Sequence, residues 1–288
     1  MVWVNIIAQG ILTGGLYALF AAGLSLIFGV MRLVNIAHGD MIVAAAYLAW
    51  SIGQATGLHP LLSLVLVVPI AMAFGYALQA GILNRTLGND ILPPLLVTFG
   101  LSVIIQNGLL ALYTADNRKL NAGALETASY PLLPGVDIGY LPFLQLVTAV
   151  SVIAGLQYLF YHTRLGRAFR ATSDDAETAA LMGLDRASVF AWAMALCFGV
   201  VAIAGVFLGV RASFDPAVGP GRLIFGFEAV IIGGLGNLWG TLVGGIILGV
   251  AQGIGAEINP GAQVLAGHLI FLLVLAFRPT GLFPRMSG

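Results

Sequence analysis

Polar positions along this chain fall in short clusters between long apolar runs. Residues 3–30 and 41–84 carry no charged side chain, and the turn Gly57-Leu58-His59-Pro60 divides the second run in two. Further runs cover 91–113, opened by Pro93 and Pro94, then 141–161 and 188–210. Beyond Arg222 come 223–235, 239–256 and 262–277. A membrane-spanning helix needs about 20 predominantly apolar residues. The pattern therefore predicts an all-α polytopic bundle of eight or nine spans, with the segment at 223–235 short, interrupted by glycine and a candidate re-entrant half-helix.

The composition sharpens this picture. Of the 288 residues 59% are hydrophobic and only 8% charged, against about 25% charged in soluble domains. Mean hydropathy is +1.00. No sizeable soluble domain fits between the spans, and the formal net charge of zero gives no footprint for nucleic acid. The first apolar run is too long, and too poor in basic residues before it, for a cleavable signal peptide. Cys197 has no second cysteine to pair with and reads as packing.

One stretch stands apart. Residues 164–186, RLGRAFRATSDDAETAALMGLDR, form the most charged run of the chain. Thr172, Ser173, Asp174 and Asp175 are suited to cap a helix, and Asp174 with Glu177 has capping-box spacing. Ala176, Ala179, Ala180, Leu181 and Met182 favour helix, and Gly183 sits where a left-handed residue would end it. The expectation is a helix of roughly 13–15 Å at 1.5 Å per residue, with Ala180, Leu181 and Leu184 forming an apolar face.

Lysine and arginine in short loops set orientation. The 164–186 loop is the richest, so it is expected in the cytoplasm, together with Arg32, the turn 84–90 with Arg85, and Arg278 and Arg285. The loop 114–140 then lies outside. With nine segments the N-terminus is outside and the C-terminus inside.

Glycine numbers 38. Gly240 with Gly244, and Gly245 with Gly249, have the spacing that lets helix backbones approach closely. The alternative is unwound backbone lining a path. Residues 17–29 and 193–209 read as a weak repeat, each a small-residue span followed by a lone acid, Asp40 and Glu228.

The densest polar cluster near a span end is Asn35, His38, Gly39 and Asp40. Asp40 can cap a helix beginning at Met41, which leaves Asn35 and His38 still needing partners. Glu228 lies inside an apolar run, where an acid is functional by default unless it is paired; Arg211 and Arg222 are the candidate partners. His38, His59, His162 and His268 have no metal-ligand spacing, and His268 reads as a hydrogen-bonded core residue. No G-x-S-x-G, H-E-x-x-H or Walker A motif is present, so no enzymatic activity and no bound cofactor are expected.

Taken together, Asn35-x-x-His38-Gly39-Asp40, the run Gly233-Gly234-Leu235-Gly236-Asn237 and the ending Arg278-Pro279-Thr280-Gly281-Leu282 resemble the permease subunit of branched-chain amino acid ABC transporters, the shorter of the two permeases. The resemblance covers essentially the whole chain, so 1–288 reads as one transmembrane permease domain. ABC importers carry a Glu-Ala-Ala pattern with a glycine six residues after the glutamate. Here Glu177-Thr178-Ala179 precedes Gly183, and Thr178 departs from the pattern.

The resemblance implies that Arg167, Arg170, Asp174, Asp175, Glu177, Ala179, Ala180 and Gly183 belong to a coupling loop that docks on ATPase subunits, where ATP is bound. It implies a second, similar permease, a periplasmic substrate-binding protein and a place in the bacterial inner membrane. Asn35, His38, Gly39, Asp40, Glu228, Gly233, Gly234 and Gly236 become candidates for the substrate path. Relatives also move urea or short amides. An ion-coupled secondary transporter using Asp40 and Glu228 is the rival reading from the residues alone.

Overall fold

The structure is a computed structural model that describes residues 2–86, 92–133 and 136–283. Its helices are α1 (Val2–Met31), α2 (His38–Thr56), α3 (Pro60–Gly81), α4 (Leu92–Tyr113), α5 (Ala124–Thr127), α6 (Tyr140–His162), α7 (Arg164–Asp174), α8 (Ala176–Leu181), α9 (Arg186–Arg211), α10 (Gly219–Gly233), α11 (Leu238–Ile258) and α12 (Gln263–Phe277). Among the described residues seven helical segments are long and apolar enough to cross a membrane, namely α1, α3, α4, α6, α9, α11 and α12. The more polar α2 and the 15-residue α10 complete the bundle.

The sequence suggested only a loop at 114–140. It contains α5 and an antiparallel hairpin of β1 (Ser129–Leu133) and β2 (Val136–Gly139). Gln9 of α1 holds this hairpin through the Asp137 carbonyl. A backbone bridge between Arg118 and Phe214 puts 114–139 on the same side as the turn after α9, opposite α7 and α8. The α7–α8 side carries the arginine excess and is the side the sequence expects to be inner; it is termed inner below. Residues 87–90 of the predicted inner turn, and Arg285, lie outside the described residues.

Helices α1 and α9 are buried along most of their length, while α4, α6 and α12 face outward. The glycine pattern explains why α1 packs so closely. A Cβ on Gly10 would fall 2.6 Å from Val250 Cα, and one on Gly245 would fall 2.8 Å from Gly14 O. Gly233 and Gly240 abut in the same way, as do Ala229 and Gly244. The two small-residue pairs of α11 thus serve different neighbours: Gly245 and Gly249 seat α1, and Gly240 and Gly244 seat α10. Both partners run antiparallel to α11.

Two connections turn back into the bundle. Arg32, at φ 51°, ends α1. Six residues later His38 bonds the Phe20 carbonyl. Phe20 lies eleven residues before the end of α1, about 16 Å along its axis. So α2 begins part-way along the length of α1 and not at its end. Asp40 therefore does not cap a helix starting at Met41, as the sequence suggested. It lies in the first turn of a helix that starts at His38 after Ala37. On the other side α9 ends at Arg211, and the chain returns so that Gly219, the first residue of α10, lies against Gly39 and Asp40. Cys197 sits beside His38 and Gly205 beside Ile42 and Ala45, so the chain after Arg211 retreats by about ten residues of helix, or roughly 15 Å. Helix α2 then runs outward and α10 inward. The connectivity repeats with opposite sense, but the acids do not correspond: Asp40 is the third residue of α2 and Glu228 the tenth of α10.

Candidate functional site

The α2–α10 junction is fully packed. Asn35 Oδ1 accepts from the Ala37 N–H at 3.0 Å, and the Asn35 carbonyl accepts from the His38 N–H. The Ile36 N–H reaches Thr98 Oγ1 on α4. His38 lies 2.9 Å from the Phe20 carbonyl through Nε2. A carbonyl only accepts, so the proton is on Nε2, and Nδ1 faces the Cys197 thiol at 3.8 Å. Asp40 accepts from Ser102 Oγ at 2.5 Å and from Gln106 Nε2 at 3.0 Å. Asn35, His38 and Asp40 are all buried. Gly39 is required by contact: a Cβ there would meet the Gly219 carbonyl carbon at 2.8 Å. The geometry of this cluster is that of a joint between α1, α2, α4 and α10.

Glu228 is buried and paired, but not with Arg211 or Arg222. Its partner is His268 Nδ1 of α12. The second carboxylate oxygen, Oε2, has no partner among the described residues. Arg211 instead donates to Gln145 and to Thr13, each at 2.9 Å.

Gly233, Gly234 and Gly236 are brought together in the α10–α11 turn. Gly234 and Gly236 have φ of 107° and 77°, which side chains rarely adopt. Asn237 caps α11 by accepting from the Gly240 N–H. The segment 278–283 closes over this turn: the Leu282 N–H donates to the Ile232 carbonyl, the Phe283 N–H to that of Gly233, and Asn237 Nδ2 to that of Phe283. The two motifs read separately in the sequence, Gly-Gly-Leu-Gly-Asn and Arg-Pro-Thr-Gly-Leu, therefore pack on each other. These glycines make a turn and a helix contact.

The inner loop is an elbow of two helices, not the single helix expected. Thr163 caps α7 through the Gly166 N–H. Phe169 of α7 is fully buried among Val30 of α1 and Val189, Phe190 and Ala193 of α9. Asp174 ends α7, so it does not form a capping box with Glu177. Asp175 is the cap, accepting from the Glu177 and Thr178 N–H groups at 3.0 and 3.1 Å and from the Thr178 hydroxyl. That hydroxyl, with the two amides, holds the Asp175 carboxyl below its usual range. Helix α8 is six residues long, about 9 Å. Gly183, at φ 86°, closes it with the Leu184 N–H bonded to the Ala179 carbonyl and its own N–H to that of Ala180, a Schellman motif. Arg167, Glu177 and Ala180 are exposed, Arg170 stacks over Tyr161, and Ala179 is buried. Leu181 and Met182 protrude, 87% and 81% exposed.

Sequence reasoning missed Ser102 and Gln106, whose polarity in the 91–113 run was a visible signal. It also missed Tyr17, which bonds Gln252 of α11 at 2.5 Å.

Comparison with known proteins agrees over nearly the whole length. The family model "Branched-chain amino acid transport system / permease component" matches residues 6–277. The high-affinity branched-chain amino acid transport system permease protein BraD of Pseudomonas aeruginosa is 30% identical, over 97% of this chain and 95% of that protein. LivH of Escherichia coli K12, of the same description, is 27% identical over 96% and 94%. LivM of the same organism is 24% identical over 93% of this chain and 68% of that protein. With the span pattern, the re-entrant helices and the inner elbow, these matches establish that the chain belongs to the family of permease components of branched-chain amino acid transport systems.

Proposed function

We propose that this chain is the permease subunit of an ATP-driven importer that moves branched-chain amino acids across the bacterial inner membrane. The family match over residues 6–277 carries the reading, and the printed names of BraD and LivH supply the substrate class. Both LivH and LivM of one organism resemble the chain, which supports pairing with a second, similar permease. A periplasmic binding protein would deliver substrate, and the chain would hold no cofactor of its own.

The α7–α8 elbow is the docking element for the ATPase. Two large apolar side chains, Leu181 and Met182, stand out on the inner side of a chain with no Walker A motif. Movement received there would pass through Phe169 to the inner ends of α1 and α9. Its route then runs along both helices to the joint at His38 and Asp40. Glu228 is the candidate for contact with substrate, since one carboxylate oxygen is uncommitted. Asp40 is engaged by Ser102 and Gln106, which favours this reading over ion coupling at Asp40.

The test is co-expression with the cognate permease, ATPase and binding protein, then reconstitution. ATP-dependent uptake of leucine, isoleucine or valine supports the reading. An assembled complex that hydrolyses ATP but takes up none of the three overturns the substrate class. A chain that transports without an ATPase overturns the mechanism.

A further inference from the structure

Asn5, Gln9, Thr13 and Tyr17 recur at every fourth residue of α1, in a stretch otherwise made of apolar residues and glycine. Spacing of four keeps side chains on one face of a helix. The structure gives this stripe a beginning and an end. Gln9 bonds the Asp137 carbonyl of the outer hairpin. Thr13 accepts from Arg211. Tyr17 donates to Gln252 and packs on Phe225 at 5.2 Å between ring centroids. Asn5, Gln9 and Thr13 are half-buried in the chain, whereas Tyr17 is buried. The stripe thus descends from the outer surface into the bundle.

Two arginines meet it. Arg211 bonds Thr13, and Arg222 stands one helical turn before Phe225, the ring that packs on Tyr17. Among the described residues neither has a carboxylate within ion-pair distance. Neither Asp215 nor Glu228 pairs with Arg222. Among the described residues Arg211 is held by the neutral Gln145 and Thr13. Among the described residues Arg222 Nε, Asn5 Oδ1 and Gln252 Nε2 are buried with no partner. Cations at membrane depth without a counter-charge mark ligand or ion pathways. Glu228, on the same helix as Arg222, is engaged by His268, whose ring stacks on Phe225.

We infer that the Asn5–Gln9–Thr13–Tyr17 face of α1 lines the outer half of the substrate path, and that Arg211 and Arg222 receive the carboxylate of the passing amino acid there. A positively charged hydrogen-bond donor suits a carboxylate, and the neutral partners of Arg211 leave its charge available. Glu228 faces the ammonium end of the same zwitterion. The ligand class rests on the proposed function; the water-filled, anion-favouring path does not.

The experiment separates the two. In the reconstituted complex with Cys197→Ser, a cysteine at Thr13 is exposed from the outer side to an anionic or a cationic methanethiosulfonate. We expect the anionic reagent to react about tenfold faster, the size of effect a charged cleft produces, and Arg211→Gln to erase the preference. A cysteine at Ile70, on the outward face of α3, is the unreactive control. Labelling of Thr13→Cys no faster than the Ile70 control, or without charge preference, overturns the inference. Uptake by Arg211→Lys and Arg222→Lys should survive while Arg211→Gln and Arg222→Gln lose most of it; unchanged uptake in both Gln variants overturns the carboxylate role. Where Arg211→Gln does not assemble, the reagent preference in the native-arginine background decides. A wild-type complex that labels as expected but takes up no branched-chain amino acid removes the substrate class and leaves the path.

Discussion

Ser102 on α4 donates to Asp40 on α2 across 62 positions of chain, at 2.5 Å. The bond fixes an outward-facing helix to the re-entrant one, at the point where α10 also begins. Ser102→Ala leaves a buried carboxylate oxygen short of one donor. A lost buried partner costs about 1–3 kcal/mol. The expected result is a lower unfolding temperature in detergent with the assembly intact. An unchanged midpoint shows that the joint does not depend on this bond.

Glu228→Gln keeps the shape of the side chain and removes its charge. Uptake should fall by about tenfold, the equivalent of roughly 1.4 kcal/mol, while the ATPase still copurifies. Normal uptake makes the charge dispensable. Loss of the complex instead assigns the Glu228–His268 pair to structure.

Gly14→Ala places a methyl against backbone of α11, within 2.7 Å of the Gly245 carbonyl. Overpacking of this kind costs about 1–3 kcal/mol. Gly100 and Gly108, on α4, have nothing near a built Cβ. Their alanine variants should be neutral or slightly stabilised, because alanine favours helix. Equal thermal stability for Gly14→Ala and Gly100→Ala contradicts the close seating of α1.

Leu181→Asp and Met182→Asp change only protruding side chains, so insertion should be normal. Copurifying ATPase and uptake should both drop. Retention of both rules the α8 tip out of the docking surface. Asp175→Ala removes the cap of the same helix and should weaken coupling. The Asp175 carboxyl titrates below its unfolded value, so the cap is fully present above about pH 4. It is lost only as pH falls through the lower folded value. Coupling should therefore show no Asp175-dependent change between neutral and mildly acidic pH; a change there contradicts the assignment.

Orientation is tested with single cysteines in a Cys197→Ser background. Leu181→Cys should react with an impermeant reagent only from the cytoplasmic side, and Asn121→Cys only from outside. The reverse pattern overturns the assignment of α7–α8 to the cytoplasm.

The hydrophobic runs made the long helices legible because a membrane forces each span to satisfy its own backbone. The short, glycine-interrupted run at 223–235 raised a re-entrant half-helix where α10 lies, but the re-entrant start of α2 was not legible. Residues 32–37 are too few and too mixed to announce that the chain turns back by eleven residues of α1, and only the His38–Phe20 bond reveals it. The helix at 176–181 was found, but its start was misplaced: Asp174 and Asp175 are equally good caps in sequence, and α7, continuing to Asp174, decided between them. The partner of Glu228 could not be read because α12 reaches it from 40 positions away; His268 was read as a hydrogen-bonded core residue, and it is hydrogen-bonded but only half-buried. The polar stripe of α1 was present in the spacing from Asn5 to Tyr17. Its meaning depended on Arg211, which approaches from a helix nearly two hundred residues later.

Glycine on both faces of α11 has a consequence for motion. Where backbones touch with no side chain between them, neither helix can slide or rotate without a steric clash, because packed interiors are not continuously deformable. α1, α10 and α11 should therefore travel as one rigid body through the cycle. Alternation between outward and inward access must then arise where larger side chains form the contacts, as between α3 and α9, where Met72 and Phe198 fill the seam, and any inhibitor that wedges such a seam would arrest the machine without touching its substrate.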